Sequence, residues 1–277
     1  MFGVCPAALV AQEISWGNNL HDDVFMYEVK LIDEFFERFN DEKTSFLRTE
    51  YQKQNKPYNV TRAQLLVSLF NLQNKTWSSA DTSGKEFIHF IANPKSPRFI
   101  YYGDSNWYAE ARCFFTYEKK MIEIPLVFHI VTLPNKGMKW MVAGIGDNPI
   151  LAATRLGPVT YNTKYESNSF YISTSSDATG FSELSGIFTE GMNPVYYFDP
   201  EVMNSDKGRK FIQLIIQGKL SFEYAKDIKY HFYQVDNWIF TVEQFSRTDF
   251  NSGWLINSVK RVDKAEKEAI RKKLLHF

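Results

Sequence analysis

The sequence predicts an α+β protein in which helices come first and a curved antiparallel sheet follows, with the arrangement given twice. Three observations carry this. Apolar residues recur at helical spacing up to residue 91, the pattern shifts to aromatic-rich and β-branched strands after Pro97, and the second half repeats the first.

The first helix is predicted over residues 22–39, where Phe25, Val29, Ile32, Phe36 and Phe39 form one stripe and Glu28, Asp33, Glu37 and Arg38 lie on other faces. Asp22 or Asp23 is its candidate cap. A polar loop runs on through Lys56 and Pro57. A second helix is predicted at 61–72, with Thr61 as N-cap and Leu65, Leu66, Leu69 and Phe70 buried. A third at 81–91 is stopped by Asn93-Pro94. Strands are expected at 98–102, 107–117, 122–133 and 139–145, with turns at Asn106 and at Asn135-Lys136-Gly137. Residues 147–180 are rich in Ser, Thr and Asn. They read as a connection carrying a strand near Phe170-Tyr171-Ile172, because a structureless link of that length is uncommon in a compact chain.

The repeat rests on order and spacing. Residues 85–91 (KEFIHFI) match 209–215 (RKFIQLI), and 137–142 (GMKWMV) match 251–256 (NSGWLI). Between these anchors lie aromatic-rich strands at 110–117 and 229–234, and Phe128 and Val242 precede their tryptophans by equal distances. The second copy is shorter by about ten residues between its phenylalanine and tryptophan anchors. Its first helix has no clear place, because Gly186, Gly191, Pro194 and Pro200 interrupt the stretch. The chain is thus divided into an N-terminal segment at 1–20, a first module at 21–147, a connection at 148–180 and a second module at 181–277. A closing helix starts at Asp263, whose spacing to Glu266 predicts a capping box, and Ile270, Leu274 and Leu275 are its docking face.

Composition bounds the function. Of 277 residues, 44% are apolar and 23% charged, which is ordinary for a globular chain. Lys plus Arg and Asp plus Glu number 32 each, so the basic face that a nucleic-acid partner needs is not expected. The aromatic share of 16%, with 24 Phe and 15 Tyr, predicts wide cores, with inter-module packing, a homo-oligomer interface or a ligand groove for the surplus. No apolar run is long enough to span a membrane. Residues 2–11 (FGVCPAALVA) read as the remnant of a secretory signal with Ala11 before the cleavage point, although the charged leading region is missing. Export to the periplasm or cell surface is therefore expected, and the cytoplasm stays open. Val4 makes Cys5 a poor lipoprotein cysteine, and without Cys5 only Cys113 remains.

The chain resembles a tandem of nuclear-transport-factor-2-like, or cystatin-like, domains. The resemblance is carried by the long helix at 22–39, the two shorter helices, the long paired strands, and the closing strands with Trp140 and Trp254. It also extends to exported bacterial proteins of similar length and no assigned activity. It implies a sheet curved around a long helix, enclosing a conical pocket for an apolar ligand. Some members are lyases or isomerases, and many only bind or assemble, so the fold alone assigns no reaction.

Catalytic signatures are absent from the chain: no H-E-x-x-H, C-x-x-C or G-x-S-x-G occurs. Gly144-Ile145-Gly146 and Ser83-Gly84-Lys85 are incomplete as phosphate-binding motifs, and the five histidines have no metal-ligand spacing. No cofactor is expected. The resemblance implies an Asp, His or Tyr projecting into the cone. Tyr101, Tyr102, Asp104 and His129 in one copy, and Tyr224, Asp227, His231 and Glu243 in the other, are of suitable type. No residue is selected as catalytic. The pocket candidates are Tyr102, Trp107, Phe128, His129, Tyr224 and Glu243. His129 reads either as a base on an apolar strand face or as a satisfied core histidine. Glu243 reads as a solvent-facing or an enclosed acid. The expected function is non-catalytic binding of a small apolar ligand or a protein partner, with a cone-pocket lyase or isomerase as the alternative.

Overall fold

The computed structural model describes residues 23–75, 77, 82–157, 171–189, 194–247 and 251–276. The signal-like run at 2–11 and Phe170 lie outside the described residues.

The fold is α+β. Six antiparallel strands form one open sheet in the order β3-β2-β1-β4-β5-β6. Strand β1 is Trp107–Tyr117, β2 Lys120–Thr132, β3 Met138–Ile145, β4 Leu220–Phe232, β5 Trp238–Phe245 and β6 Gly253–Arg261. The two three-stranded meanders join edge to edge through β1 and β4, where Ala109 faces Tyr230 and Cys113 faces Ala225. Alternation along β1 sends Trp107, Ala109, Ala111, Cys113 and Phe115 inward, all fully buried.

The helices cross over. Helices α1 (Ile32–Asn40), α3 (Arg62–Ser68) and α4 (Ser83–Ile91) precede β1 in the chain, yet they lie mainly against the far meander. Phe35 and Phe39 pack on Phe240, and Phe87 packs on Trp238 and Phe240. Conversely, α7 (Pro200–Asn204) and α8 (Asp206–Ile216) precede β4 and cover the first meander, with Phe211 edge-on to Phe115. Phe181 stacks on Phe128 at 4.2 Å and meets Trp140. The result is one continuous core on the inner face of the sheet.

Corresponding contacts recur in the two meanders. Trp140 N donates to Ile172 O and Trp254 N to Val29 O; Asp199 N donates to Val142 O and Asn71 N to Ile256 O. The β2–β3 ladder has a bulge at Val127/Phe128, and the β5–β6 ladder has one at Thr241/Val242. These backbone bonds also cap both outer edges of the sheet, which would otherwise offer unpaired amides to other chains.

The first helix is shorter than its stripe predicts. Residues 23–26 form one 3-10 turn and α1 begins only at Ile32. Val29 is withdrawn from helical bonding because its N–H and C=O bond to Ser252 and Trp254 on the edge of β6. The loop expected before Pro57 contains a helix, α2 (Phe46–Lys53), with Ser45 as its cap and Leu47 and Tyr51 buried. The strand expected at 98–102 does not form, and the chain enters a turn at Tyr102. Asn40 bonds both backbone groups of Ile100, and Gln234 bonds both of Tyr101, so two side-chain amides take the place of a strand partner. Thr61 forms the full capping box with Gln64. Among the described residues between β3 and α7 the helices are only short pieces, including α5 (Pro149–Ala153) and α6 (Leu184–Ile187).

The closing helix α9 (Lys264–Leu274) is capped by Asp263, which accepts from Glu266 N. It lies on the outer face of the sheet, where Ile270, Leu274 and Leu275 meet Tyr108, Val127, Ala143, Tyr233, Ile239 and Val262. Among the described residues, no helix is long and apolar enough to cross a membrane.

Candidate functional site

The β4–β5 ladder stops at the pair Lys229–Glu243, although β4 continues back to Leu220. A bulge at Asp227, whose φ of 51° is left-handed, turns β4 away at that point. Where the strands part, a cleft of about 650 Å³ opens. Its walls are Ala225–Ile228 of β4, Glu243 and Gln244 of β5, and Trp254 of β6. Residues 30–33, leading into α1, and residues 174–180 complete it.

At its floor, Asp177 is 6% exposed and accepts a 2.6 Å hydrogen bond from the Tyr230 hydroxyl. Its carboxylate also accepts from Ala178 N. Burial pushes the Asp177 carboxyl above its ordinary value, and the nearby Asp33 adds to this. Asp33 lies at the mouth. The residue is exposed, yet the cleft wall takes enough solvent from its carboxyl to raise that too. Tyr230 is fully enclosed and its phenol is pushed well up, by burial first and then by Asp177. Trp254 meets the Tyr230 ring at 4.7 Å in an edge arrangement.

A raised carboxyl has a sign for stability. Native Asp177 holds its proton more tightly than the unfolded chain does, so the group favours the fold in acid. It costs stability as pH rises from about 4 through its raised value. Asp177→Asn keeps an oxygen acceptor for Tyr230 and removes the titration. Urea unfolding at pH 4, 5.5 and 7 is expected to show the variant gaining on the parent with rising pH. An unchanged difference would mean that the carboxyl is not desolvated.

Of the residues singled out from sequence, Glu243 lines the cleft. It accepts from Asn257 Nδ2 at 2.9 Å and pairs with Lys229 at 3.4 Å. Tyr102 and Trp107 sit deeper, with Tyr102 donating to Thr174 O and Trp107 Nε1 donating to Tyr102 O. Phe128 is sealed beneath Phe181. His129 is on the outer face, bonded to Asp199 at 3.0 Å and parallel to the Tyr108 ring. His231 is bonded to Glu110 at 2.9 Å, and this bond holds Glu110 below the ordinary carboxylate value. Tyr224 is exposed on the outer face and stacks on Phe114. Among the described residues, no group of three or more His, Cys, Asp or Glu side chains is placed to hold a metal ion.

Asp177 and Asp33 as a pair were outside the reach of sequence. Tyr230 gave one signal: alternation with Phe232 puts it on the inner face, where a buried phenol requires an acceptor. No family model matches the chain, and neither a curated protein nor a solved structure matches it.

Proposed function

We propose that the chain is an exported, non-catalytic binding protein that holds a small ligand in the cleft between β4 and β5. In this reading it arose from two copies of a nuclear-transport-factor-2-like unit fused through β1 and β4. Support for the duplication comes from the paired bulges and the recurring edge bonds around Trp140 and Trp254. Support for export comes from the apolar run at residues 2–11.

The observation that carries the binding reading is the enclosed Asp177–Tyr230 pair opening onto a cleft of about 650 Å³. A site that only packs would be filled, and its carboxylate would be mated to a cation. An open cleft with convergent polar groups is what ligand sites have in common. Native mass spectrometry of the protein from its own host is expected to show a non-covalent mass excess. Ala178→Trp, at an exposed position on the cleft wall, is expected to abolish it. A bare mass at every charge state, together with no shift of Tm across a small-molecule library, would sink the reading.

The second reading, a lyase or isomerase for a small apolar substrate, is favoured by the same raised carboxyl. An acid whose value has moved upward holds a proton more readily than an ordinary carboxyl and can hand it to a bound compound. It requires turnover of the bound compound that Asp177→Asn removes. Stoichiometric retention without conversion decides for binding alone.

A further inference from the structure

We propose that the ligand of this cleft is a small primary amine that also carries a hydrogen-bond acceptor, with its ammonium held between Asp177 and Asp33. The proposal rests on the binding reading above and specifies the chemistry of that site.

The charges around the cleft sort into matched and unmatched. Asp227 is engaged by Arg112 at 2.8 Å and Glu243 by Lys229. The Lys226 ammonium lies over the Phe114 ring on the other face of the sheet, 4.9 Å from its centroid. Asp177 and Asp33 remain. Among the described residues neither has an ion-pair partner; Asp177 is held only by the Tyr230 hydroxyl and backbone N–H groups. Lys30 at the mouth is bonded through its backbone N–H to Glu34 and forms no ion pair with either carboxylate. Asp177 is buried, Asp33 is drawn partly out of water and adds to the rise at Asp177, and no side-chain cation among the described residues is paired with either. An ammonium, with three donors, supplies a positive charge and directs hydrogen bonds to both walls.

Trp254 provides an independent sign of a ligand. It is 7% exposed and lines the cleft, and its indole N–H has no acceptor among the described residues. By contrast Trp107 donates to Tyr102 O and Trp140, which occupies the matching strand position, donates to Thr174 O. An indole N–H left without a protein acceptor on a residue of the cleft wall is available to an acceptor on whatever fills that space. Ile32, Ile228 and the Tyr230 and Trp254 rings form the apolar part of the wall and suit the carbon body of the amine.

The test is calorimetric titration of the full chain with matched probes: benzylamine, tyramine and glucosamine against benzyl alcohol, tyrosol and glucose. 4-Hydroxyphenylacetate is the anionic control. Amines are expected to bind at least roughly 10-fold more tightly than their neutral partners. Asp177→Asn and, independently, the mouth variant Asp33→Asn are each expected to weaken amine binding by roughly 10- to 100-fold. Trp254→Phe is expected to weaken tyramine and glucosamine more than benzylamine, which lacks the acceptor. Equal or tighter binding of the neutral or anionic probes overturns the amine assignment while leaving a binding cleft in place. Binding by none of the seven counts against both the amine assignment and the cleft as a small-molecule site.

Discussion

Trp107→Ala is expected to lower the stability of the fold by about 4 kcal/mol, near the upper end for a single core truncation. Trp107 is fully buried at the joint between the meanders. Its ring contacts Phe36 of α1, Tyr102, Trp140 of β3, and both Tyr230 and Phe232 of β4. Truncation opens a cavity among five aromatic rings that are themselves fixed by other neighbours and cannot collapse into it. It also leaves the Tyr102 carbonyl without the indole donor, 2.8 Å away. Because the ring bridges both halves, far-UV and near-UV signals should be lost together in urea, at a lower midpoint and an unchanged slope. A loss below about 1 kcal/mol, or two separated transitions, would show that the joint is not the shared core described above.

Gly253→Ala should cost about 3 kcal/mol or more through the backbone rather than through packing. Gly253 has φ +89°, where a side chain is strained, and a Cβ there would stand 2.1 Å from Val29 O. The obstruction is main chain and cannot rotate away. The pairing it would disrupt ties the N-terminal segment to β6 through Val29 N to Ser252 O, Trp254 N to Val29 O and Asn251 N to Phe25 O. Hydrogen exchange should show Val29 and Trp254 amides losing protection first, ahead of β1 and β2. Gly186→Ala is the control: no atom lies within 4 Å of its new Cβ, it sits in α6, and a neutral change or slight gain is expected. Equal losses at the two positions would remove the steric argument.

Much of the sheet was legible because its signal is local. Alternating aromatic and β-branched residues mark β1, β2 and β3 to within two residues of their ends, and Thr61 and Asp263 announce their helices by side-chain chemistry. The stripe Phe25, Val29, Ile32, Phe36, Phe39 misled. Every one of those side chains is buried as a helix would bury it, yet the backbone of Val29 is claimed by a strand more than two hundred positions away. Helix periodicity reports burial, and only long-range pairing decides the backbone. The cleft was hidden for a related reason. Asp33 and Asp177 are ordinary polar residues in sequence, and what sets them apart is that Arg112, Lys226 and Lys229 are directed elsewhere. Charge matching of that kind is a property of the assembled sheet.

The crossing of the helices has a consequence for the order of events during synthesis. Helices α1, α3 and α4 leave the ribosome long before Trp238 and Phe240, the residues that cover Phe87 and Phe39. At ordinary elongation rates the delay is on the order of ten seconds. Through that interval Phe36 can meet Tyr102 and Trp107, but Phe39 and Phe87 lack the rings of β5 that cover them. The first meander waits likewise for α8. A nascent chain built this way covers its first meander only once α8 is made and its first helices only once β5 and β6 are made, so its folding is governed by closure over very long loops. Such a chain leaves Phe39 and Phe87 uncovered for longer during synthesis than a tandem of independent domains would.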